Sequence, residues 1–139
     1  MASPASPKAS GPSAQAPERP PLPPVDAQVL ARLRTLAKHP PQCLLREGGG
    51  APDREAAALA WAKAVNCPQG GCSACAVCRQ IDGRVFRDLI VIDKAFFEEA
   101  KKEGKSGTDK VRELLPVWGQ PAHGAGSRVT LFPEAHELH

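Results

Sequence analysis

The sequence predicts an α/β fold built on a parallel sheet, and three observations carry that prediction. A short apolar run, "QCLLREGGG", ends in three glycines and leads straight into the Ala-rich stretch "PDREAAALAWAKAVNC". "DLIVID", Asp88 to Asp93, is a near-continuous apolar run of the kind a strand shows when both its faces are buried. The order strand, glycine turn, helix, strand, helix, strand is the grammar of parallel α/β units.

Each element has its own justification. Residues 1–24, "MASPASPKASGPSAQAPERPPLPP", carry almost no large apolar side chain, so they cannot offset ordering entropy and read as a disordered tail. Val25, Val29, Leu33 and Leu36 then share one helical face, with Arg32, Arg34 and Lys38 elsewhere, until Pro40 and Pro41 end the helix. "QCLLREGGG" reads as a first strand and tight turn, with Cys43 a buried apolar residue of that strand. The following helix has acidic residues early, Lys63 late and Asn66 as its C-terminal stop. "KAFFEEAKKEGKSG" is a charged, solvated connection, helical in part. In "TDKVRELLPVWG", Val111, Leu114, Leu115 and Trp118 recur at the spacing of a short amphipathic helix, and Arg128 to Phe132 forms a last strand. The same periodicity assigns Trp61 and Trp118 to core packing.

Length and composition narrow the function classes. A chain of 139 residues holds one domain, 25–139 after the tail. No window approaches the roughly 18 apolar residues of a membrane span, and the tail lacks the apolar run of a signal peptide. A cytoplasmic location without membrane contact is the expectation. A net charge of +3 neither demands nor forbids nucleic acid. Five cysteines, four of them crowded together, do not match the paired framework of a secreted domain.

Those four, Cys67, Cys72, Cys75 and Cys78, are spaced C-x4-C-x2-C-x2-C within a module at about 66–82. A C-x2-C step lets two sulfurs converge across a tight turn, and "GCSAC" supplies small residues for it. Four thiolates satisfy tetrahedral zinc at about 2.3 Å and leave no open position, so the site would be structural rather than catalytic. Free buried thiols, disulfides, a redox pair and an iron–sulfur cluster are the competing readings. A redox pair needs one C-x-x-C opening a helix, and the usual bacterial cluster run has Pro after its last Cys where Arg79 stands here. His39, His123, His136 and His139 are scattered, and with Glu134 they mark no second metal site.

A phosphate loop would sit between the first strand and the Ala-rich helix. Anchored on Gly48, the pattern G-x-x-x-x-G-K-[ST] requires Gly, Lys and Ser or Thr where Asp53, Arg54 and Glu55 stand. Pro52 removes an N–H, and two carboxylates occupy the place of phosphate. Arg54 keeps a cation without the geometry, so ATP binding is not expected.

The phrases "PQCLLREGGG", "AWAKAVNC", "CSACAVCR", "DLIVID", "GTDKVRELL" and "VTLFPEAHEL", in that order, resemble bacterial DNA polymerase III clamp-loader subunits, which are AAA+ proteins. The resemblance runs from about Val25 to the C-terminus. It implies a RecA-like three-layer parallel sheet, incomplete at the C-terminus, with the zinc-binding module inserted. It departs from the family at the degraded loop and at the acidic box, where Pro133 replaces the Asp expected to hold magnesium and Glu134 remains. Two lesions in one chemistry point to the delta-prime type, a non-catalytic subunit working in clamp loading during DNA replication. Its implied partners are gamma/tau and delta in a hetero-oligomer, with DNA reached through the complex. An arginine-finger role would lie beyond the last residues, and the absence of the family's central strand leads to the expectation of a fragment, or a product of premature termination, that is marginally stable alone.

Two other classes compete. A small structural-zinc module binding nucleic acid directly would want Lys and Arg around the cysteines; Arg79 is adjacent, Arg84 and Arg87 lie further on, and Phe86 is the lone stacking candidate. An active ATPase would have to work despite both lesions.

Overall fold

A computed structural model describes residues 20–137 of the chain, so most of the predicted tail, residues 1–19, lies outside the described residues. Of the remaining tail residues, Leu22 is half-buried and packs against the core. Helix α1 spans Ala27–Leu36, opened by Asp26, whose side chain accepts the N–H groups of Gln28 at 2.9 Å and Val29 at 3.3 Å. Helix α2 spans Ala51–Asn66 and packs on α1; its Ala-rich face allows close approach around buried Leu59 and Trp61. Helix α3, Ala76–Asp82, packs against α2 and completes this layer with Ile81, which is fully buried.

Strand β1 is Leu89–Val91, and β2 is Val129–Leu131. They pair in parallel, Leu89 opposite Val129 and Val91 opposite Leu131. Between them run α4, Lys94–Lys102, then α5, Gly107–Arg112, and α6, Leu115–Trp118. Asp93 caps α4 through Phe96 N–H, and Ser106 caps α5 through Asp109 N–H. A 3₁₀ turn, Ala135–Glu137, follows β2. Leu33, Leu59, Trp61, Ile81, Leu89, Val129 and Leu131 form one core, so the strands pack on the α1–α3 layer. No helix among the described residues is long and apolar enough to cross a membrane.

The parallel pairing agrees with the sequence prediction, but the three-layer AAA+ sheet does not form. Among the described residues the sheet has two strands of three residues each, and the architecture is mainly helical. The predicted first strand is the main loss. Residues 42–47 are irregular and exposed, with Leu44 at 41% and Leu45 at 73% exposure. Adjacent leucines point to opposite faces of a strand, and without a neighbouring ladder its N–H and C=O groups favour water. Cys43, expected to be buried there, is exposed with its segment.

Two smaller corrections share one cause. The amphipathic helix predicted through Trp118 divides into α5 and α6, because Pro116 has no N–H to give the carbonyl of Arg112. The break leaves Leu115 at 58% exposure and Trp118 at the surface, whereas Trp61 is in the core as predicted. The indole N–H of Trp118 donates to Thr130 Oγ1 at 2.9 Å, on the outward side of β2.

Candidate metal centre

Cys67 sits one residue past α2, its N–H bonded to Lys63 O at 2.7 Å. The chain then reverses through Gly70 (φ +72°), Gly71 (φ +104°) and Ser73 (φ +60°). Left-handed backbone at two glycines is inexpensive, and at Ser73 it carries modest strain. Cys75 caps α3, and Cys78 lies one turn into that helix, fully buried. Neighbouring groups hold the turn: Arg34 Nε donates to Gly70 O at 3.3 Å, and Lys63 Nζ sits 2.6 Å from Asp82 and 3.5 Å from Ser73 Oγ.

All four sulfurs lie within 4.8 Å of one another. Cys67 Sγ is 3.7 Å from Cys72 Sγ and 3.8 Å from Cys75 Sγ. A tetrahedron of thiolates about 2.3 Å from a shared ion has edges of about 3.8 Å, whereas a disulfide would bring two sulfurs to about 2 Å. Backbone N–H groups point at three of the sulfurs: Cys72 N–H at Cys67, Cys75 N–H at Cys72, and Cys78 N–H at Cys75, at 3.4, 3.3 and 3.4 Å. Such donors stabilise negative charge on sulfur. The four cysteines can therefore hold a metal ion.

The proton affinities of the thiols diverge. Burial pushes Cys67 up, but the backbone N–H groups of Cys72, Gln69 and Gly71 together outweigh it and bring the thiol down to about 6. The backbone of Ala74 and Cys75 lowers Cys72 in the same way. Cys78 is pushed up to about 12, by burial first and then by the sulfurs of Cys75 and Cys67. Four negative sulfurs this close repel one another, and a bound cation is what lets all four stay deprotonated.

The other sequence-predicted positions fall elsewhere. Gly48 and Gly49 have φ of +79° and +70°, and Gly50 opens α2. The Asp53 carboxylate accepts the Gly50 N–H at 3.0 Å, so a protein carboxylate takes the place a phosphate oxygen would need. Arg54 Nη1 donates to Gly49 O at 2.6 Å, and Glu55 is ion-paired with Arg84. A cleft of about 300 Å³ beside the loop is lined by Asp26, Arg46, Gly49, Asp53 and Ala57, among others, and by no residue of the acidic box. Pro133 and Glu134 form the turn after β2. Among the described residues no second group of three or more His, Cys, Asp or Glu side chains converges.

Sequence reasoning brought the four cysteines together but not their support. The small residues of "GCSAC" signalled a tight turn, whereas the left-handed backbone of Gly70, Gly71 and Ser73 and the Lys63–Asp82 pair have no local pattern that marks them. Searched against known proteins, the chain matches no family model, no curated protein and no solved structure.

Proposed function

We propose that the chain is a non-catalytic scaffold organised by a structural zinc ion on Cys67, Cys72, Cys75 and Cys78. The observation that carries this reading is the sulfur spacing, 3.7 and 3.8 Å from Cys67 to two neighbours, which suits one tetrahedral ion. Thiolate sets of this geometry select zinc or iron. A multi-iron cluster would hang its cysteines on separate irons and spread them further apart, which favours the single ion. With four protein ligands the ion has no open position for water or substrate, so its contribution is to join the end of α2 to α3.

The wider role we propose is scaffold subunit of a sliding-clamp loader of the delta-prime type, with gamma/tau and delta as partners and DNA contacted through them. It rests on the succession of sequence phrases, not on a shared sheet architecture. The parallel pairing of "DLIVID" with "RVTLF", downstream of the cysteine module, favours it over a free-standing nucleic-acid module. The Asp53 carboxylate on the Gly50 N–H supports a subunit that does not use ATP.

Elemental analysis, ATP titration and co-purification on one preparation test this reading. The expected result is one zinc per chain, no magnesium-dependent ATP binding and retention on gamma/tau and delta. A folded chain without zinc sinks the metal assignment. Tight ATP binding, or failure to join those subunits while binding single-stranded DNA, sinks the clamp-loader role.

A further inference from the structure

We infer that a hydroperoxide opens the metal centre by forming a Cys67–Cys72 disulfide, an inference that rests on the structural-metal reading above. The four sulfurs are not equivalent in access or freedom. Cys67 and Cys78 are buried at 6% and 0% exposure, whereas Cys72 and Cys75 are half-buried and face the reagent. Both of those sulfurs accept a backbone N–H, Cys72 from Cys75 and Cys75 from Cys78, but Cys75 alone is also tied to the start of α3 as its cap. Cys72 hangs on the Gly70–Gly71 turn, whose residues carry no side chain to obstruct a change of backbone angles. Its sulfur is already 3.7 Å from Cys67 Sγ and needs to approach to about 2 Å.

The chemistry balances with hydrogen peroxide as the simplest member of the class. The Cys72 thiolate attacks one peroxide oxygen, the O–O bond breaks, and a sulfenic acid and hydroxide result. The Cys67 thiolate then attacks the Cys72 sulfur, forming the S–S bond and expelling a second hydroxide. Two thiolates have lost two electrons, peroxide has gained them, and two protons from solvent turn both hydroxides into water. The ion keeps only Cys75 and Cys78, both belonging to the start of α3, and is released. Thiol reductant with added zinc reverses the sequence. The link between α2 and α3 thus becomes dependent on peroxide.

The test uses the full chain carrying Cys43→Ser, which silences the exposed thiol outside the cluster. Zinc-loaded protein is treated with hydrogen peroxide, released zinc is read with a chromogenic chelator, and disulfides are mapped by mass spectrometry of the unreduced digest. The expected result is one zinc released per disulfide, Cys67–Cys72 as the dominant pair, and reversal by dithiothreitol plus zinc. Zinc retained in excess peroxide overturns the inference, and so does a dominant Cys67–Cys75, Cys72–Cys75 or Cys75–Cys78 pair. Metal content before treatment separates the two failures, since a folded chain with no zinc at the outset defeats the metal reading itself.

Discussion

Asp88 and Arg128 stand just ahead of β1 and β2, 3.8 Å apart, with side chains 1% and 9% exposed. The Asp88 carboxylate also accepts the N–H groups of His123 at 2.8 Å and Gly124 at 2.9 Å, while Arg128 donates to the carbonyls of Val117, Gln120 and Pro121. This buried pair fixes the loop that delivers β2 to β1, and Val129 N–H closes on Asp88 O at 2.8 Å.

The pair predicts how acid acts on the fold. Burial alone would raise Asp88, but the His123 and Gly124 N–H groups, with charge from His123 and Arg128, hold it below the usual carboxylate range. A depressed carboxylate stabilises the native state fully above its unfolded value of about 3.9, and that contribution is lost as pH falls through the native value. Asp88→Asn should cost about 3 kcal/mol at pH 7, since an amide donor would face donors already in place. The gap between the two proteins should start to narrow only as pH falls below about 4. Urea midpoints measured from pH 7 to pH 2 check this, and a gap that stays constant with pH contradicts it.

On the proposed structural-zinc reading, removing the metal should unfold the cysteine module. Binding to structural cysteine sites of this kind is worth on the order of 10 kcal/mol at neutral pH, comparable to the whole stability of a small domain. A strong chelator should lower both the thermal midpoint and the helical circular-dichroism signal. Cys78→Ser should reproduce the loss without chelator, and Cys43→Ser should leave both unchanged. Equal behaviour of the two variants would argue against the centre.

Gly126 should reject any side chain. A Cβ there would overlap the carbonyl of Val65 and the side chain and Cα of Asn66, directly before Cys67. Gly126→Ala is expected to cost about 1–3 kcal/mol by forcing the loop off α2. Gly119→Ala, whose Cβ meets nothing closer than 3.7 Å, is the control and should change stability by less than about 0.5 kcal/mol. Chemical denaturation of the pair decides.

The two tryptophans should separate in fluorescence. Trp61 is 9% exposed and Trp118 is 36% exposed. Trp118→Phe should leave a blue-shifted emission that iodide barely quenches, at a cost of about 1 kcal/mol for the lost bond to Thr130. Trp61→Phe should leave the red-shifted, quenchable component. Equal quenching of both variants would contradict the placement of Trp118.

What could be read in the sequence was what depends on near neighbours. The α2 helix, its acidic start and the convergence of Cys67, Cys72, Cys75 and Cys78 follow from residues close in the chain, and the structure agrees. The strand at Leu44 and Leu45 failed because a strand exists only with a partner, and partner choice is not a local property. Trp118 failed because the apolar spacing was counted straight through Pro116. The Asp88–Arg128 pair had no signature, as its groups meet only after β1 and β2 have paired.

The register of Leu89 with Val129 has a consequence for the order of assembly. The chain that must close to form the cysteine module is about a quarter as long as the one joining those strands, an entropic advantage of about 1 kcal/mol before any contact is made. On the proposed reading the module also has an ion to capture, whereas the two short strands must wait for the helices between them to settle. The first half of the molecule is therefore positioned to fold first and act as the template, with the strand pair closing last against a surface already in place.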